Sequence, residues 1–517
     1  MKIPFPPICL FFLFWFPSLS LSQSLRGKWK TWVSFNFVNY GESFDFYGFL
    51  FFFCFFVFGF YLGSGYLLDC GATIPSVING LGWNPDQDYV SGGTPKVLLT
   101  QFQNPTLSTV RTFPLENNLF KKFCYVIPAF RTGRYLIRTT YFYGGVNGNN
   151  NPPVFDQMVD GTFWSIVNTT ADYSNGNASY YEGIFAAAGK SISVCLAANT
   201  YTDSDPFISA LEVILLANSL YNATDFGTNA LKLVARHSFG YQGPIIRYPD
   251  DEFDRCWLPL GEDNSTTTST RNVDVSGFWN LPPLQVFQTD LEISQPEPMV
   301  LLWPPVSLPK SLYYLALYFA DNPNSTGGPR VFDITVNGVA YYSNLTVDQA
   351  GVAVFTNQWP LAGVTNITLT PVAGSTLGPL INAGEAFEIL KLNGTTLTRD
   401  VISIEKVKAS FQNPPVDWNG DPCLPRQYSW TGVTCSEGPR PRIITLNLTS
   451  MGLSGSISPG IANLTALSAI WLGNNSLTGS IADLSSLKRL NTLHLEDNKL
   501  GGEISPSLGN LANLREM

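Results

Sequence analysis

Histidine, the side chain that most often acts as a general acid or base near neutral pH, occurs at two positions in this chain, His237 and His494. Neither belongs to a serine, histidine and aspartate order that would suggest a catalytic triad. The sequence also contains no G-x-S-x-G nucleophile turn. Histidine-based hydrolysis therefore finds no support in the sequence.

Acidic residues cluster in the segment "YPDDEFDR", at Asp250, Asp251, Glu252 and Asp254. A metal site or a carboxylate pair is conceivable there, but we expect a solvated turn in which Arg255 binds backbone or a carboxylate. Glycoside hydrolysis needs two carboxylates facing each other ~5 to 9 Å apart, and these turn-like clusters nominate no such pair. We therefore predict that the chain is not an enzyme and uses no metal and no cofactor.

Aromatic residues near an aspartate form a second pattern, which is suited to carbohydrate binding. Aromatic faces can pack on sugar C–H surfaces, while a carboxylate accepts hydrogen bonds from hydroxyl groups. The candidates are Tyr141, Tyr143, Asp160, Phe163 and Trp164, the last three in the predicted hairpin "VDGTFW". Because side chains alternate between the two faces of a strand, only half of such a set can share one face. Each aromatic residue is therefore also a candidate for the core.

The composition favours a secreted, β-rich protein. The chain has 517 residues, of which 45% are hydrophobic and 13% charged. This length has room for about two to four domains. With 30 basic and 39 acidic residues, a net charge of −9 and no basic stripe, we expect no nucleic-acid partner.

Two hydrophobic stretches lie in the first 65 residues. Residues 1–23 have the pattern of a cleaved signal peptide, with Lys2, the apolar "ICLFFLFWF" and the small-residue exit "SLSLSQS". Residues 24–65 include a phenylalanine-rich run, Phe49 to Leu62, of 14 residues. A membrane-spanning helix needs ~20. We interpret residues 24–65 as inserted sequence outside any domain, with a membrane anchor as the alternative.

Glycosylation sequons and cysteines support passage through the secretory pathway. Cys423 and Cys435 lie 12 residues apart in a segment broken by proline and glycine, and we expect a local disulfide there. Cys70, Cys124, Cys195 and Cys256 allow three pairings, between which the sequence does not choose. Eleven N-x-[ST] sequons predict N-glycans; they are Asn168, Asn177, Asn222, Asn264, Asn324, Asn344, Asn366, Asn393, Asn447, Asn463 and Asn474.

Residues 66–404 show short β-type runs separated by turn signals, such as "KFCYVIPAF", "RYLIRTTYFYGG" and "VFDITVNGVAYY". No long segment with helical periodicity interrupts them, which is typical of β-sandwiches. The segments that begin at residues 134 and 311 each contain an aromatic strand, a turn, Phe-Asp and an Asp-Gly or Asn-Gly hairpin. We therefore predict two β-sandwiches in tandem.

Residues 443–517 contain a leucine-rich repeat. The frame L-x-L-x-x-N-x-L begins at Leu446, Ile470 and Leu493, and Met451 replaces the first asparagine. The leucines should point inward and each asparagine should bind backbone in its turn. The exposed strand side chains would then include Trp471, which we predict to contact a ligand. The full exposed set is Asn447, Thr449, Trp471, Gly473, His494 and Glu496.

Taken together, these segments resemble plant malectin-like/leucine-rich-repeat proteins, a group that includes receptor-like kinases. The resemblance covers about residues 66–517. It rests on the repeats and on "YLLDCG", "DPFISALEV", "YPDDEFDRCW", "FWNLPP" and "WNGDPCLPRQYSWTGVTC". It implies an all-β fold: two tandem malectin-type β-sandwiches at 66–404, a linker and disulfide-closed cap at 405–442, and a short solenoid at 443–517. Cys256 replaces another residue common in the group, so no disulfide assignment is carried over to it.

The sequence ends at "NLANLREM" and shows no kinase motif, so we expect a truncated product, with a natural short form as the alternative. The resemblance implies a receptor-like recognition module of the plant cell surface, extracellular or associated with the plasma membrane. Its expected ligand is cell-wall carbohydrate or a secreted peptide or protein, with a receptor kinase as a further partner. The alternative function is a glycoside-processing enzyme of the secretory pathway.

Overall fold

The computed structural model describes residues 65–98, 105–115, 121–148, 151–261, 273–321, 330–504 and 506–517. The predicted signal peptide, nearly all of the segment 24–65 and the sequons Asn264 and Asn324 lie outside these residues. Within them, no helix combines the length and apolar character needed to span a membrane.

Strands dominate the described chain. The first group comprises β1 Gly65–Asp69, β2 Ser76–Ile78, β3 Leu81–Pro85, β4 Thr94–Val97, β5 Thr109–Thr112, β6 Lys122–Pro128, β7 Arg134–Tyr141, β8 Phe155–Val159, β9 Thr162–Val167, β10 Ser179–Ala186, β11 Ser191–Ala198, β12 Phe207–Ile208 and β13 Ala210–Leu215. The second comprises β14 Asn229–Phe239, β15 Leu258–Leu260, β16 Leu291–Glu292, β17 Met299–Leu302, β18 Leu308–Phe319, β19 Arg330–Val336, β20 Val339–Val347, β21 Val352–Gly363, β22 Asn366–Pro371, β23 Leu380–Ile381 and β24 Ala383–Lys391. The third comprises β25 Val433–Cys435, β26 Ile443–Asn447, β27 Ser454–Ser456, β28 Ala469–Trp471, β29 Ser476–Gly479, β30 Thr492–His494 and β31 Lys499–Leu500. The α-helices in the described ranges are α1 Thr170–Ser174 and α2 Thr398–Ser410.

One 11-stranded sheet runs through the β-sandwich region, in the order β2-β3-β1-β13-β7-β10-β14-β24-β18-β21, with β15 beside β14. The sheet β6-β11-β8-β9 packs against strands β1, β13, β7 and β10 of the long sheet, and together they enclose one apolar core. We call this part of the sandwich the first half. The sheet β17-β22-β19-β20 packs against strands β14, β24, β18 and β21 of the long sheet, and together they enclose a second apolar core. We call this part of the sandwich the second half. The halves join where β10 pairs with β14.

The two segments that look duplicated in the sequence take matching places in the halves. β7 and β18 lie in the long sheet, and the hairpins β8–β9 and β19–β20 lie in the two four-stranded sheets. The halves share one continuous sheet instead of having separate sheet pairs. The all-β architecture is therefore confirmed, while the count of two independent malectin-type units stays a prediction.

A third apolar layer covers the other face of the long sheet. Leu136 and Ile184 from the first half and Tyr314 and Phe387 from the second pack there in one cluster with Trp257. The long sheet is therefore buried on both faces around the junction of its halves. This explains why its strands contain near-continuous runs of apolar residues.

The acidic segment after residue 248 contributes to this buried layer. Asp251 and Asp254 are 1% and 5% exposed, so the prediction of a solvated turn is wrong for these two carboxylates. Arg255 Nε donates to Asp251 Oδ2 at 2.9 Å, as expected for the arginine. Trp257 Nε1 donates to the same oxygen at 2.9 Å. Asp251 is therefore buried beside the fully buried Trp257, while Asp254 is buried against Arg247, whose Nη2 donates to Asp254 Oδ2 at 2.6 Å.

Two disulfides are present among the described residues. Cys423 and Cys435 are bridged as expected, with a Cα–Cα distance of 5.8 Å. Cys124 on β6 pairs with Cys195 on β11, where the antiparallel register sets them opposite each other. Cys70 and Cys256 are thiols.

The solenoid begins where β25 pairs antiparallel with β26. From there, β26, β28 and β30 form a parallel ladder, and β27, β29 and β31 form a second one. Leu446, Ile470 and Leu493 are at most 1% exposed, so they fill the interior of the coils. The predicted leucine-rich repeat is confirmed in this part of the chain.

Candidate functional site

Three of the aromatic residues predicted to bind carbohydrate lie in the core of the first half. Tyr141, Tyr143 and Trp164 are 0%, 1% and 1% exposed. Tyr141 donates to Gln157 Oε1 at 2.9 Å and packs edge-on against Phe155. All three side chains belong to the apolar core enclosed by the two sheets of this half, so they are out of reach of a ligand at the surface.

Asp160 and Phe163 lie at the tip and edge of the β8–β9 hairpin. Phe163 is 38% exposed, so it alone of the four aromatic candidates in this half reaches the surface. Asp160 Oδ1 accepts hydrogen bonds from Ser193 N and Ser193 Oγ at 2.8 and 3.0 Å. Burial raises the pKa of Asp160 to about 6, although the Ser193 donors oppose this shift. The carboxylate thus holds the hairpin to β11.

The segment predicted to form the cap, residues 405–442, docks on the outer face of the four-stranded sheet that contains β8 and β9. Tyr428 packs against the disulfide pair Cys124 and Cys195. The ammonium group of Lys122 donates to the Leu424 carbonyl at 2.7 Å, and burial lowers the pKa of this lysine to about 8. The sequence pattern did not reveal this contact, because its partners are about 300 residues apart.

The hairpin tip takes part in this contact. A Cβ atom on Gly161 would lie 2.7 Å from Leu424 Cβ, so the cap closes directly over the hairpin. Asn393 N donates to Thr162 Oγ1 at 3.2 Å beside it. The neighbourhood of Asp160 is therefore a junction within the chain instead of an open sugar-binding rim.

The parallel ladder of the solenoid presents an accessible row of polar and aromatic side chains. Asn447, Trp471 and His494 are register partners on β26, β28 and β30. We call this outward-facing row the ladder face. Asn447 is exposed, whereas Trp471 and His494 are half-buried. Of the predicted ligand-binding residues, Trp471 is the one that the structure places in an ordered, accessible row.

Carboxylates flank the end of the ladder face. His494 Nδ1 lies 3.3 Å from Glu496 Oε2, and His494 Nε2 lies 3.4 Å from Glu516 Oε1. Glu496 and Glu516 are 56% and 64% exposed. Glu496 also reaches across the previous coil, because its Oε1 lies 2.6 Å from where a Cβ on Gly473 would stand. The surface thus combines an indole with negative charge.

The asparagines of the second and third repeats fix the shape of this surface. Asn498 Nδ2 donates to the carbonyl oxygens of Leu472, Leu495 and Glu496 at 2.9 to 3.1 Å. Asn475 makes the corresponding bonds to Leu448, Leu472 and Gly473. The predicted role of these asparagines is confirmed. Because each amide binds carbonyls of two successive coils, it fixes their spacing.

Among the cavities lined by described residues, two lie away from the predicted carbohydrate set. One, of about 320 Å³, opens on the last coil and is lined by Leu493, Leu495, Ile504, Leu508 and Met517, among others. The other, of about 350 Å³, lies between residues 274–279 and 350–355. Trp279 stacks on Phe355 there at 4.4 Å, and Asp274 lines the same cavity. Sequence reasoning missed this second cavity, and the tryptophan of "FWNLPP" is the one signal that could have pointed to it.

No ready-made metal centre is found in the described ranges, which hold no group of three or more histidine, cysteine, aspartate and glutamate residues able to bind one ion. Buried carboxylates in the long sheet are instead paired with arginines. Glu182 Oε1 accepts from Arg236 at 2.7 Å, and Glu212 Oε2 accepts from Arg138 at 2.6 Å. These glutamates therefore form ion pairs in the interior of the sheet.

Fold and surface together define an all-β protein in which a two-part sandwich carries a capped leucine-rich solenoid. Residues 68–389 match the malectin-like domain family, and the chain belongs to that family. Residues 399–436 match the leucine-rich-repeat N-terminal domain, and residues 489–511 match a leucine-rich repeat.

Relatives with curated descriptions are plant receptor-like kinases. A leucine-rich-repeat receptor-like serine/threonine-protein kinase of Arabidopsis thaliana is 33% identical over 424 residues, which cover 77% of this chain and 47% of the relative. A receptor-like protein kinase of the same plant is 33% identical over 423 residues, covering 77% and 45%. The chain thus spans about half the length of these relatives.

Solved structures with the same fold are plant receptor ectodomains. The ANX2 ectodomain from Arabidopsis thaliana superposes with a TM-score of 0.52 at 15% identity, covering 63% of this chain and 97% of that one. The receptor-like kinase FER, in a complex with the plant peptide RALF23 and LLG2, has a TM-score of 0.50 at 17% identity, covering 63% and 95%. At this identity the likeness establishes the fold. An extracellular or cell-surface placement is consistent with these relatives.

Proposed function

We propose that this chain is a non-catalytic recognition module of the plant cell surface, whose ladder face binds a secreted peptide or a protein. The observation that carries the proposal is the row Asn447, Trp471 and His494, bordered by the carboxylates of Glu496 and Glu516. Tryptophan is enriched among the residues that dominate binding energy. The carboxylates favour a partner with basic groups.

The structure of FER in complex with the peptide RALF23 supports a peptide ligand, and this support rests on analogy of fold only. The ladder face alone is small, below the ~800 Å² per partner of a standard interface. A receptor kinase that contributes a second surface would supply the remaining area. We therefore propose a ternary arrangement in which this chain, the ligand and a receptor kinase bind together.

Carbohydrate binding is the second candidate, and the cavity of about 350 Å³ beside Trp279 and Phe355 favours it. An aromatic pair with Asp274 nearby is the chemistry first expected at the β8–β9 hairpin. Trp279→Ala should abolish a glycan signal if this candidate is correct. The same variant should leave peptide binding at the ladder face unchanged.

The glycoside-processing alternative needs two opposed carboxylates in a cleft. Glu182, Glu212 and Glu385 are buried and each is bound by arginine. Turnover of any oligosaccharide by the purified protein would overturn the non-catalytic proposal.

Arrays of secreted peptides and of glycans test the main proposal. The secreted ectodomain would be applied to both, with and without its N-glycans. We expect binding to basic peptides that weakens as salt increases, because exposed charges are screened. Signals confined to the glycan array would contradict the peptide proposal and favour the Trp279 cavity.

A further inference from the structure

The ladder face sets a glycosylation sequon beside an indole ring. Asn447, in the sequon Asn447-Leu448-Thr449, is the register partner of Trp471 on the neighbouring parallel strand. Neighbouring strands lie about 4.8 Å apart. Both side chains leave the outer face of the ladder because Leu446 and Ile470, their predecessors, fill the interior. A sugar attached to Asn447 therefore begins next to Trp471.

The Asn447 amide is arranged to accept a sugar without losing a contact. Its Oδ1 accepts a hydrogen bond from Thr449 N at 3.2 Å. Its Nδ2, the atom that a glycan would occupy, donates to no residue in the described part of the chain. Asn474, another sequon on the solenoid, differs because its Nδ2 donates to Ser450 Oγ at 2.9 Å.

We propose that an N-linked glycan on Asn447 packs its first N-acetylglucosamine against the Trp471 indole and covers this residue. The C–H face of a pyranose is apolar and weakly positive, and the indole face carries the complementary negative quadrupole. Attachment one strand away makes the contact intramolecular. The effective concentration of the sugar at the ring is then in the millimolar range or above, so a weak contact suffices.

Glycan occupancy would then control access to the ladder face, a consequence that rests on the proposed function. Trp471 is open to a partner when Asn447 is unmodified and covered when it is glycosylated. His494 lies on the other side of Trp471 from Asn447 and stays accessible in both forms. The extent of modification at one asparagine thereby sets how much of the surface a partner can use.

Oxidation of Trp471 by N-bromosuccinimide, measured by peptide mass mapping of the secreted full chain, tests the packing without any ligand. Asn447→Gln and Thr449→Ala both abolish the sequon, the first at the asparagine and the second at the threonine. Asn463→Gln and Asn474→Gln are matched controls, because they remove sequons of the same solenoid outside the ladder face. We expect Trp471 to react about fivefold more slowly in the wild type than in the first two variants, equivalent to about 1 kcal/mol of packing. The controls should react like the wild type.

An unmodified Asn447 in the secreted protein would overturn the proposal. Equal oxidation rates of Trp471 in the wild type and in both sequon variants would overturn it as well. A failure of the proposed function alone would look different. Trp471 would still be protected by the glycan, yet a basic peptide selected on the array would bind Asn447→Gln and the wild type equally.

Discussion

The hydroxyl group of Tyr428 donates a hydrogen bond to Asp156 Oδ2 at 2.7 Å, across the contact between the cap and the first half of the sandwich. Asp156 Oδ1 accepts from Asn199 Nδ2 at 2.7 Å, so the carboxylate is fully engaged. Tyr428 is 2% exposed. The cap is therefore held to the sandwich by a buried, charge-assisted bond in addition to apolar packing.

Tyr428→Phe should weaken this docking while preserving the ring packing. Removing the hydroxyl leaves Asp156 Oδ2 without its tyrosine donor, which costs about 1.5 to 3 kcal/mol for a bond to a charged group. Urea unfolding of the purified ectodomain would measure the loss. Tyr201→Phe, at a residue that is 75% exposed, should be neutral. An equal effect of both changes would contradict the assigned role of Tyr428.

Asp160→Asn should flatten part of the pH dependence of stability. The folded-state pKa of Asp160 is raised to about 6, above the ~3.9 of an unfolded aspartate. The folded protein therefore binds more protons between these values, and its free energy of unfolding falls as the pH rises from about 4 to about 6. Asparagine keeps the acceptor for Ser193 but carries no charge.

Urea midpoints measured from pH 4 to 7 would test this prediction. The wild type should lose more stability over this range than Asp160→Asn, and the variant should be the more stable protein at pH 7. Asp203→Asn, at an exposed position, serves as the control. Parallel pH profiles for the wild type and Asp160→Asn would show that Asp160 is not the titrating group.

Asn498→Ala should destabilise the solenoid selectively. The Leu495 carbonyl loses its donor, whereas the carbonyls of Leu472 and Glu496 each keep another one. Such a loss costs about 1 to 3 kcal/mol when the group is shielded from water. Hydrogen exchange should speed up in β28 and β30 and remain unchanged in β7. Asn510→Ala, at an exposed position, should leave exchange unaffected. Faster exchange throughout the chain would argue against a local role.

The sequence-based predictions are correct where the residues that interact are close together in the sequence, and they are wrong where the partners are distant. Asn475, Asn498 and the Cys423–Cys435 bridge act within one or two coils or one short loop, so motif spacing was sufficient to predict them. The burial of Tyr141 and Trp164 depends on a sheet that strands distant in sequence complete. Alternation along one strand cannot show whether its second face is also covered.

The same distinction applies to charge and to the cysteines. Asp251 looked solvated because the sequence does not show that Trp257 carries it into the third apolar layer. The pairing of Cys124 with Cys195 depends on the register of β6 against β11, which local patterns leave open. The docking of the cap was missed for this reason as well.

Limited proteolysis should trim the chain beyond about residue 443 before it cuts the sandwich. A cavity of about 320 Å³ opens on the last coil, and Ile504 and Met517, which line it, are 67% and 73% exposed. Few apolar contacts mean a low free energy of local opening. A time course analysed by mass spectrometry would locate the first cuts. Equal resistance along the whole chain would contradict this prediction and would indicate a partner that covers the last coil.

The most direct test of the account is the affinity of the ladder face with and without Trp471, measured by calorimetry for a basic peptide selected on the array. The background should be Asn447→Gln, so that no glycan covers the ring. Adding Trp471→Ala should weaken binding about tenfold or more, corresponding to at least about 1.4 kcal/mol, as for a residue that dominates an interface. Tyr201→Ala in the same background should bind as before. An unchanged affinity after Trp471→Ala would contradict recognition at the ladder face.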